Sequence, residues 1–156
     1  MKRVVFIAST GGHLNELLQL KKIFDNYDYM LITEKTKSNL GLKKTYGKRV
    51  SFLIYGSKDH LFSYLFKFTA NSFLSIYYYF KFRPKYIVTT GTHTAVPLSY
   101  ISKLFGCKII YIETFANIYT PTKTGVIMYK IADLFIVQWK ELLVHYPNAK
   151  YFGGIY

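Results

Sequence analysis

"FIASTGGHLNELLQL", residues 6–20, opens as a buried strand and closes as an amphipathic helix, and the turn between them carries two glycines and a histidine. Val4–Ala8 is a continuous apolar run with β-branched residues, the pattern of a strand covered on both faces. From Leu14 the apolar positions Leu14, Leu17, Leu18, Leu20 and Phe24 recur at helical spacing. A strand that turns directly into a helix is the unit from which parallel sheets are built. The rest of the chain repeats it. "DYMLIT" (28–33), "RVSFLIY" (49–55), "KYIVTT" (85–90), "CKIIYIE" (107–113), "DLFIVQ" (133–138) and a short "AKYFGG" read as strands. Residues 61–80, 96–106, 122–132 and 139–146 read as helices, with Gly125 an awkward residue inside the third. The expected fold class is α/β: a single Rossmann-like domain over residues 1–156, with a mostly parallel sheet and helices on both faces.

Composition bounds the partners. The 156 residues carry a formal net charge of +13, which favours anionic partners such as phosphates or acidic headgroups. One cysteine, Cys107, rules out an internal disulfide and fits a reducing compartment. The apolar run after "MKR" is too short for a secretory signal, so a cytosolic chain is expected.

Ligands of an open parallel sheet collect at the carboxyl ends of its strands, where the strand order reverses. Three polar turns fall there: Ser9, Thr10, Gly11, Gly12 and His13 after the first strand; Gly91, Thr92, His93 and Thr94 after "KYIVTT"; and Glu113, Thr114, Phe115 and Asn117 after "CKIIYI". In the first turn, glycines allow close backbone approach and a helix start favours an anion, while His13 can bond a phosphate or hydroxyl or act as a base. The plainer reading of that turn is two glycines making the bend and His13 capping the helix. For the second turn the plainer reading is an N-cap cluster, with Thr94 as cap. Glu113 ends an apolar strand, where a carboxylate needs a partner or a ligand. The dinucleotide fingerprint G-x-G-x-x-G is absent, which counts against a nicotinamide cofactor and leaves Glu34 as a solvated residue. A P-loop, a D-x-D pair and metal-ligand spacing are absent too, so no metal site is expected.

Residues 61–80, "LFSYLFKFTANSFLSIYYYF", hold nine aromatic residues and one charge, Lys67. Ser63, Lys67, Asn71 and Ser75 recur every four positions and form one narrow polar stripe on a helix, the rest of whose surface is apolar. The length approaches that of a membrane span, but a crossing would divide one sheet between two compartments, and Lys67 and Asn71 are costly in hydrocarbon. A helix lying in the membrane interface over about 60–83 is expected, through Phe62, Phe66, Phe73 and Tyr77, with Lys81 and Arg83 meeting acidic headgroups. The alternative is a crossover helix buried against the sheet or a partner. The basic stretch from Lys35 to Arg49 can support membrane or diphosphate binding; nucleic acid is disfavoured, because the aromatics do not interleave with the basic residues.

The segments "STGGHLNELLQL" (9–20), "TTGTHTAVPLSYISKLFG" (89–106), "IYIETFANIYTPTKTGVIMYKIADLFIVQW" (110–139) and "YFGGIY" (151–156) cover about half the chain in collinear order. Together they resemble the acceptor-side, membrane-associating subunit of two-component glycosyltransferases. In eukaryotes that subunit anchors a UDP-N-acetylglucosamine transferase of lipid-linked oligosaccharide assembly; bacterial relatives serve capsule and exopolysaccharide synthesis. The resemblance extends to the N-terminal half of GT-B enzymes such as the transferase that completes lipid II. It implies a subunit that binds a lipid-diphosphate-linked saccharide acceptor at the cytoplasmic face of the plasma membrane, as a peripheral protein. No cofactor is then bound by this chain, and a donor-binding partner subunit holds the UDP-sugar. By the same resemblance, Gly11, Gly12 and His13 bind the acceptor diphosphate or help deprotonate its hydroxyl. Gly91–Thr94 and Glu113–Asn117 shape the acceptor side of the cleft, with His13 and Glu113 the catalytic candidates. The apolar helix that precedes the first strand in the eukaryotic subunit has almost no counterpart here, so attachment is expected to fall to residues 61–80 or to the partner. Two other functions fit the same residues: a non-catalytic membrane scaffold that enhances the partner transferase, and a stand-alone nucleotide-binding domain.

Overall fold

The computed structural model describes residues 1–56 and 61–156. Seven strands form one sheet in which every pairing is parallel: β1 (Arg3–Ala8), β2 (Asp28–Glu34), β3 (Val50–Leu53), β4 (Tyr86–Gly91), β5 (Lys108–Ile112), β6 (Leu134–Val137) and β7 (Lys150–Tyr151). Their spatial order is β3-β2-β1-β4-β5-β6-β7, so the winding direction reverses between β1 and β4. The helices are α1 (Gly12–Gln19), α2 (Lys21–Phe24), α3 (Leu42–Tyr46), α4 (Leu61–Phe82), α5 (Val96–Leu104) and α6 (Lys123–Tyr129). The stretch at 139–146, expected as a helix, is a 3-10 turn over Lys140–Val144, and the last strand is only two residues long.

β1 is apolar from Val4 to Ala8 because it is central and feeds two cores. Val5 and Ile7 point to the face covered by α4, α5 and α6, where Tyr79, Leu98 and Met128 pack. Val4 and Phe6 point to the other face, where Leu17 of α1 and Phe24 of α2 pack. This is the period-two alternation of a strand read on two covered sides. The coverage of the second face is incomplete. Beside Leu20 and Tyr27 lies an apolar groove of about 370 Å³, floored by Val4, Val88, Ile110, Ile112 and Ile136.

Helix α4 is the crossover between β3 and β4, and the second half of its polar stripe faces inward, while Ser63 is exposed and Lys67 half-buried. Asn71 and Ser75 are 5% and 0% exposed, while Phe62, Phe66 and Phe73 are 90%, 79% and 69% exposed. The reason lies at the end of β3. Beyond Leu53 the edge strand leaves the backbone of Ile54 unpaired, and Asn71 satisfies both groups: Ile54 N–H donates to Oδ1 and Nδ2 donates to the Ile54 carbonyl, each at 2.8 Å. Tyr78 likewise donates to the Phe52 carbonyl at 2.7 Å. The crossover reading therefore holds for the polar side of the helix, and the aromatic side is left bare. The expected span from about residue 60 has its first residue outside the described ones. Among the described residues, no helix is long and apolar enough to cross a membrane.

Candidate functional site at the strand-order reversal

The reversal between β1 and β4 brings the first two turns together. Ser9 N–H donates to the Gly91 carbonyl at 3.0 Å, Thr92 N–H donates to Ser9 Oγ at 3.1 Å, and the Ser9 and Thr92 hydroxyls are 2.9 Å apart. Gly11, at φ +86°, turns the chain out of β1, and Gly12 begins α1; both glycines are exposed. Gly91, at φ +97°, is needed for a second reason. A Cβ there would come within 3.3 Å of the Tyr111 hydroxyl and 3.5 Å of His13 Nδ1.

His13 sits in the first turn of α1, not at its cap, which is Gly11. Its Nδ1 is 2.8 Å from the Thr90 carbonyl oxygen. A carbonyl only accepts, so in the neutral ring Nδ1 carries the proton and Nε2 keeps the lone pair. The half-buried ring is thereby fixed in one tautomer.

Several polar residues of the rim hold the rim itself. Glu34, expected as a solvated residue, is 2% exposed: its carboxylate accepts from Thr10 N–H at 3.1 Å and from the Thr94 hydroxyl at 2.9 Å. Asn39 donates to Thr10 Oγ1 and to the Glu34 carbonyl. Thr94 is accordingly no helix cap; it lies within a 3-10 turn, His93–Ala95, and ties that turn to β2. The His93 ring packs edge-on to Tyr64 of α4, at 5.3 Å between centroids.

Glu113 differs most from expectation. It is 0% exposed, and its carboxylate accepts from Thr114 N–H, the Thr122 hydroxyl and the Tyr146 hydroxyl at 3.0, 2.8 and 2.8 Å. The expectation of a catalytic group reaching a ligand is corrected: Glu113 is enclosed by protein donors, and it positions the turn after β5 and the start of α6. Burial and the Glu113 charge push the Tyr111 and Tyr146 hydroxyls far up, so both stay neutral donors. Gly125 is explained by the same network, since a Cβ on it would collide with Glu113 Oε2 and the Tyr146 hydroxyl.

The turn that Glu113 holds meets α1 through a residue the sequence reading passed over, Glu16. Thr114 Oγ1 and Phe115 N–H both donate to Glu16 Oε1 at 2.8 Å. Glu16 follows His13 by three residues, a spacing that puts both on one side of a helix. Between α1 and the turn lies a pocket of about 440 Å³, bordered by Gly12, His13, Glu16, Thr114, Phe115 and Tyr156. Asn117 is half-buried and donates to the Thr120 carbonyl within its own loop. The three turns thus converge on one edge of the sheet. Among the described residues, no group of three or more His, Cys, Asp or Glu side chains is placed to hold a metal ion.

The family model described as "Oligosaccharide biosynthesis protein Alg14 like" matches residues 3–155. The chain belongs to the Alg14-like family. A UDP-N-acetylglucosamine transferase subunit ALG14 of Debaryomyces hansenii is 30% identical over 174 residues, an alignment spanning 96% of this chain and 74% of that protein. The mouse subunit of the same name is 26% identical over 98% of this chain and 82% of its own length. Homologues in the Alg14-like family are therefore subunits of a UDP-N-acetylglucosamine transferase in oligosaccharide biosynthesis. Among solved structures, Acinetobacter baumannii MurG superposes with a TM-score of 0.73 at 17% identity, over 90% of this chain and 43% of that one. A Methanocaldococcus jannaschii UDP-GlcNAc 2-epimerase, solved with UDP-GlcNAc and UDP, gives 0.72 at 12% identity over 97% and 46%. At these identities the likeness shows the fold: one half of a GT-B architecture, with the chain spanning less than half the length of either structure.

Proposed function

We propose that this Alg14-like chain is the acceptor-side subunit of a two-component glycosyltransferase acting on a lipid-diphosphate-linked saccharide, in a capsule or exopolysaccharide pathway. A partner subunit supplies the UDP-sugar. The observation that carries this reading is His13, held by the Thr90 carbonyl with Nε2 free to act as a base, at the mouth of a glycine-lined helix start. The exposed backbone of Gly11 and Gly12 suits the acceptor diphosphate, because unsatisfied N–H groups and the helix dipole favour an anion. His13 Nε2 takes the proton of the acceptor hydroxyl as its oxygen attacks the anomeric carbon, and UDP departs on the partner's side. This chain then needs no cofactor of its own. Glu34 is committed to Thr10 and Thr94, which disfavours a stand-alone nucleotide-binding domain using it for a ribose.

Two bare apolar surfaces support the partner and the membrane. The groove over β4, β5 and β6 suits an apolar segment of the donor-binding subunit. The exposed aromatics of α4, with Lys81 and Arg83 exposed at its end, suit a peripheral site on the cytoplasmic face of an anionic membrane. Those same surfaces favour the second reading, a scaffold whose partner holds the whole active site. Co-expression separates the readings. Neither subunit alone is expected to transfer sugar to membrane acceptors, and the pair is. Full transfer by the pair carrying His13→Ala would leave the scaffold reading, and robust transfer by this chain alone would overturn the split enzyme.

A further inference from the structure

Glu16 is 3% exposed, and one of its carboxylate oxygens, Oε1, takes both donors the protein offers, Thr114 Oγ1 and Phe115 N–H. The other, Oε2, is buried with no partner. A buried carboxylate oxygen left unpaired is costly, and in a native protein it calls for a donor from elsewhere. Glu16 also borders the 440 Å³ pocket, so a donor seated there lies beside the carboxylate.

The pocket's chemistry selects the donor. A carboxylate repels phosphate, so the acceptor diphosphate belongs at the Gly12 end of this border, beside Gly11, and not against Glu16. The border is also aromatic: the Phe115 ring lies 4.6 Å from Trp139 and 5.3 Å from Tyr156, between centroids. Trp139 Nε1 donates to the Phe115 carbonyl at 2.7 Å and fixes the turn. An apolar ring and a hydrogen-bond acceptor in one pocket match a sugar, which offers a face of C–H groups and an edge of hydroxyls.

Resting on the acceptor-side reading, we infer that this pocket is a saccharide subsite, in which Glu16 Oε2 accepts a hydrogen bond from a sugar hydroxyl seated against Phe115. Burial raises the Glu16 carboxyl above its ordinary range, while hydrogen bonds from Thr114 and Phe115 N–H and the nearby His13 ring work the other way and Glu113 adds to the rise. A hydroxyl donated to Oε2 favours the ionised form and so opposes the effect of burial. Because His13 lies one turn earlier on the same helix, a sugar held by Glu16 presents a neighbouring hydroxyl near the proposed base.

The test uses the full chain and two probes. In amide-resolved NMR titrations, free N-acetylglucosamine is expected to shift Glu16, Thr114 and Phe115, and inorganic phosphate to shift Gly11, Gly12 and His13. Glu16→Gln keeps an acceptor for Thr114 and Phe115 but places a donor against the sugar, so it is expected to abolish the first set of shifts and spare the second. In the co-expressed pair it raises the acceptor KM about tenfold to a hundredfold with kcat little changed. Sugar shifts absent from Glu16, Thr114 and Phe115 in the wild-type chain, or an unchanged acceptor KM in the variant, overturn the subsite. If instead the wild-type pair transfers nothing and phosphate leaves Gly11 and Gly12 unmoved, the acceptor-side reading fails, while the sugar titration still decides the pocket.

Discussion

His13 Nδ1 lies 2.8 Å from the carbonyl oxygen of Thr90, and the Thr90 hydroxyl returns a 2.6 Å bond to the carbonyl of His13. The first turn of α1 is thereby clamped to the end of β4 across the reversal in strand order. With Nδ1 held as a donor, Nε2 is the only ring atom left to take a proton. His13→Ala is therefore expected to lower kcat of the two-subunit enzyme by about 10²- to 10⁴-fold. If, as proposed, the donor binds the partner, KM for the UDP-sugar should not change. Steady-state kinetics with the nucleotide sugar varied at saturating acceptor checks both.

Gly125 is fixed by a side chain in another element. Gly125→Ala drives a methyl into the Glu113–Tyr146 hydrogen bond and is expected to cost about 1–3 kcal/mol by overpacking. Gly41→Ala meets open space at an ordinary φ of −61° and should change stability by less than about 0.5 kcal/mol. Urea denaturation of the two variants compares them directly.

What the sequence disclosed follows from which forces are local. The strands and their alternation with helices are written in short apolar runs such as Val4–Ala8, and the site turns follow because each sits where a strand gives way. Pair interactions between distant residues leave no such mark. Glu34 and Glu113 look alike as acids at strand ends, yet their fates depend on Thr94 and Tyr146, 60 and 33 residues away. Glu16 was hidden for the same reason, its donors being 98 and 99 residues distant. On α4 the spacing gave the polar stripe but not its direction, which was set by the unpaired backbone of Ile54.

Asp133 makes acid stability specific. It accepts from Lys103 at 2.6 Å, Lys108 at 2.9 Å and Ile109 N–H at 2.9 Å. Burial opposes its charge, but these three partners outweigh burial and hold the carboxyl down at about 2 against an ordinary 3.8. A depressed carboxyl stabilises the fold above its unfolded value and loses that contribution as protons bind the native state. The Asp133 share is therefore whole above pH 3.8 and disappears as pH falls through about 2. Asp133→Asn should cost about 1 kcal/mol at neutral pH and nothing at the acid end. Denaturation midpoints across that window are the measurement.

Cys107 is 3% exposed, and burial pushes its thiol up to about 12. Only the thiolate reacts, so native protein at pH 8 should resist thiol reagents and be labelled rapidly once unfolded. Labelling followed by mass spectrometry with and without denaturant checks this.

The two sides of α4 should respond in opposite ways to substitution. Asn71→Leu leaves the Ile54 N–H and carbonyl without partners and is expected to cost about 1–3 kcal/mol. Phe66→Asp with Phe73→Asp changes side chains that stand 79% and 69% exposed, so the pair should alter stability by less than about 1 kcal/mol. If the aromatic side lies on a membrane, those two charges fall among headgroups and acyl chains, where they oppose both burial and the attraction of Lys81 and Arg83 to acidic lipid. Sedimentation with anionic vesicles should then fall about tenfold or more for the double variant. Unchanged sedimentation with an unchanged melting profile would return the aromatic side to a protein partner, because only a surface absent from the vesicle assay could then need it bare.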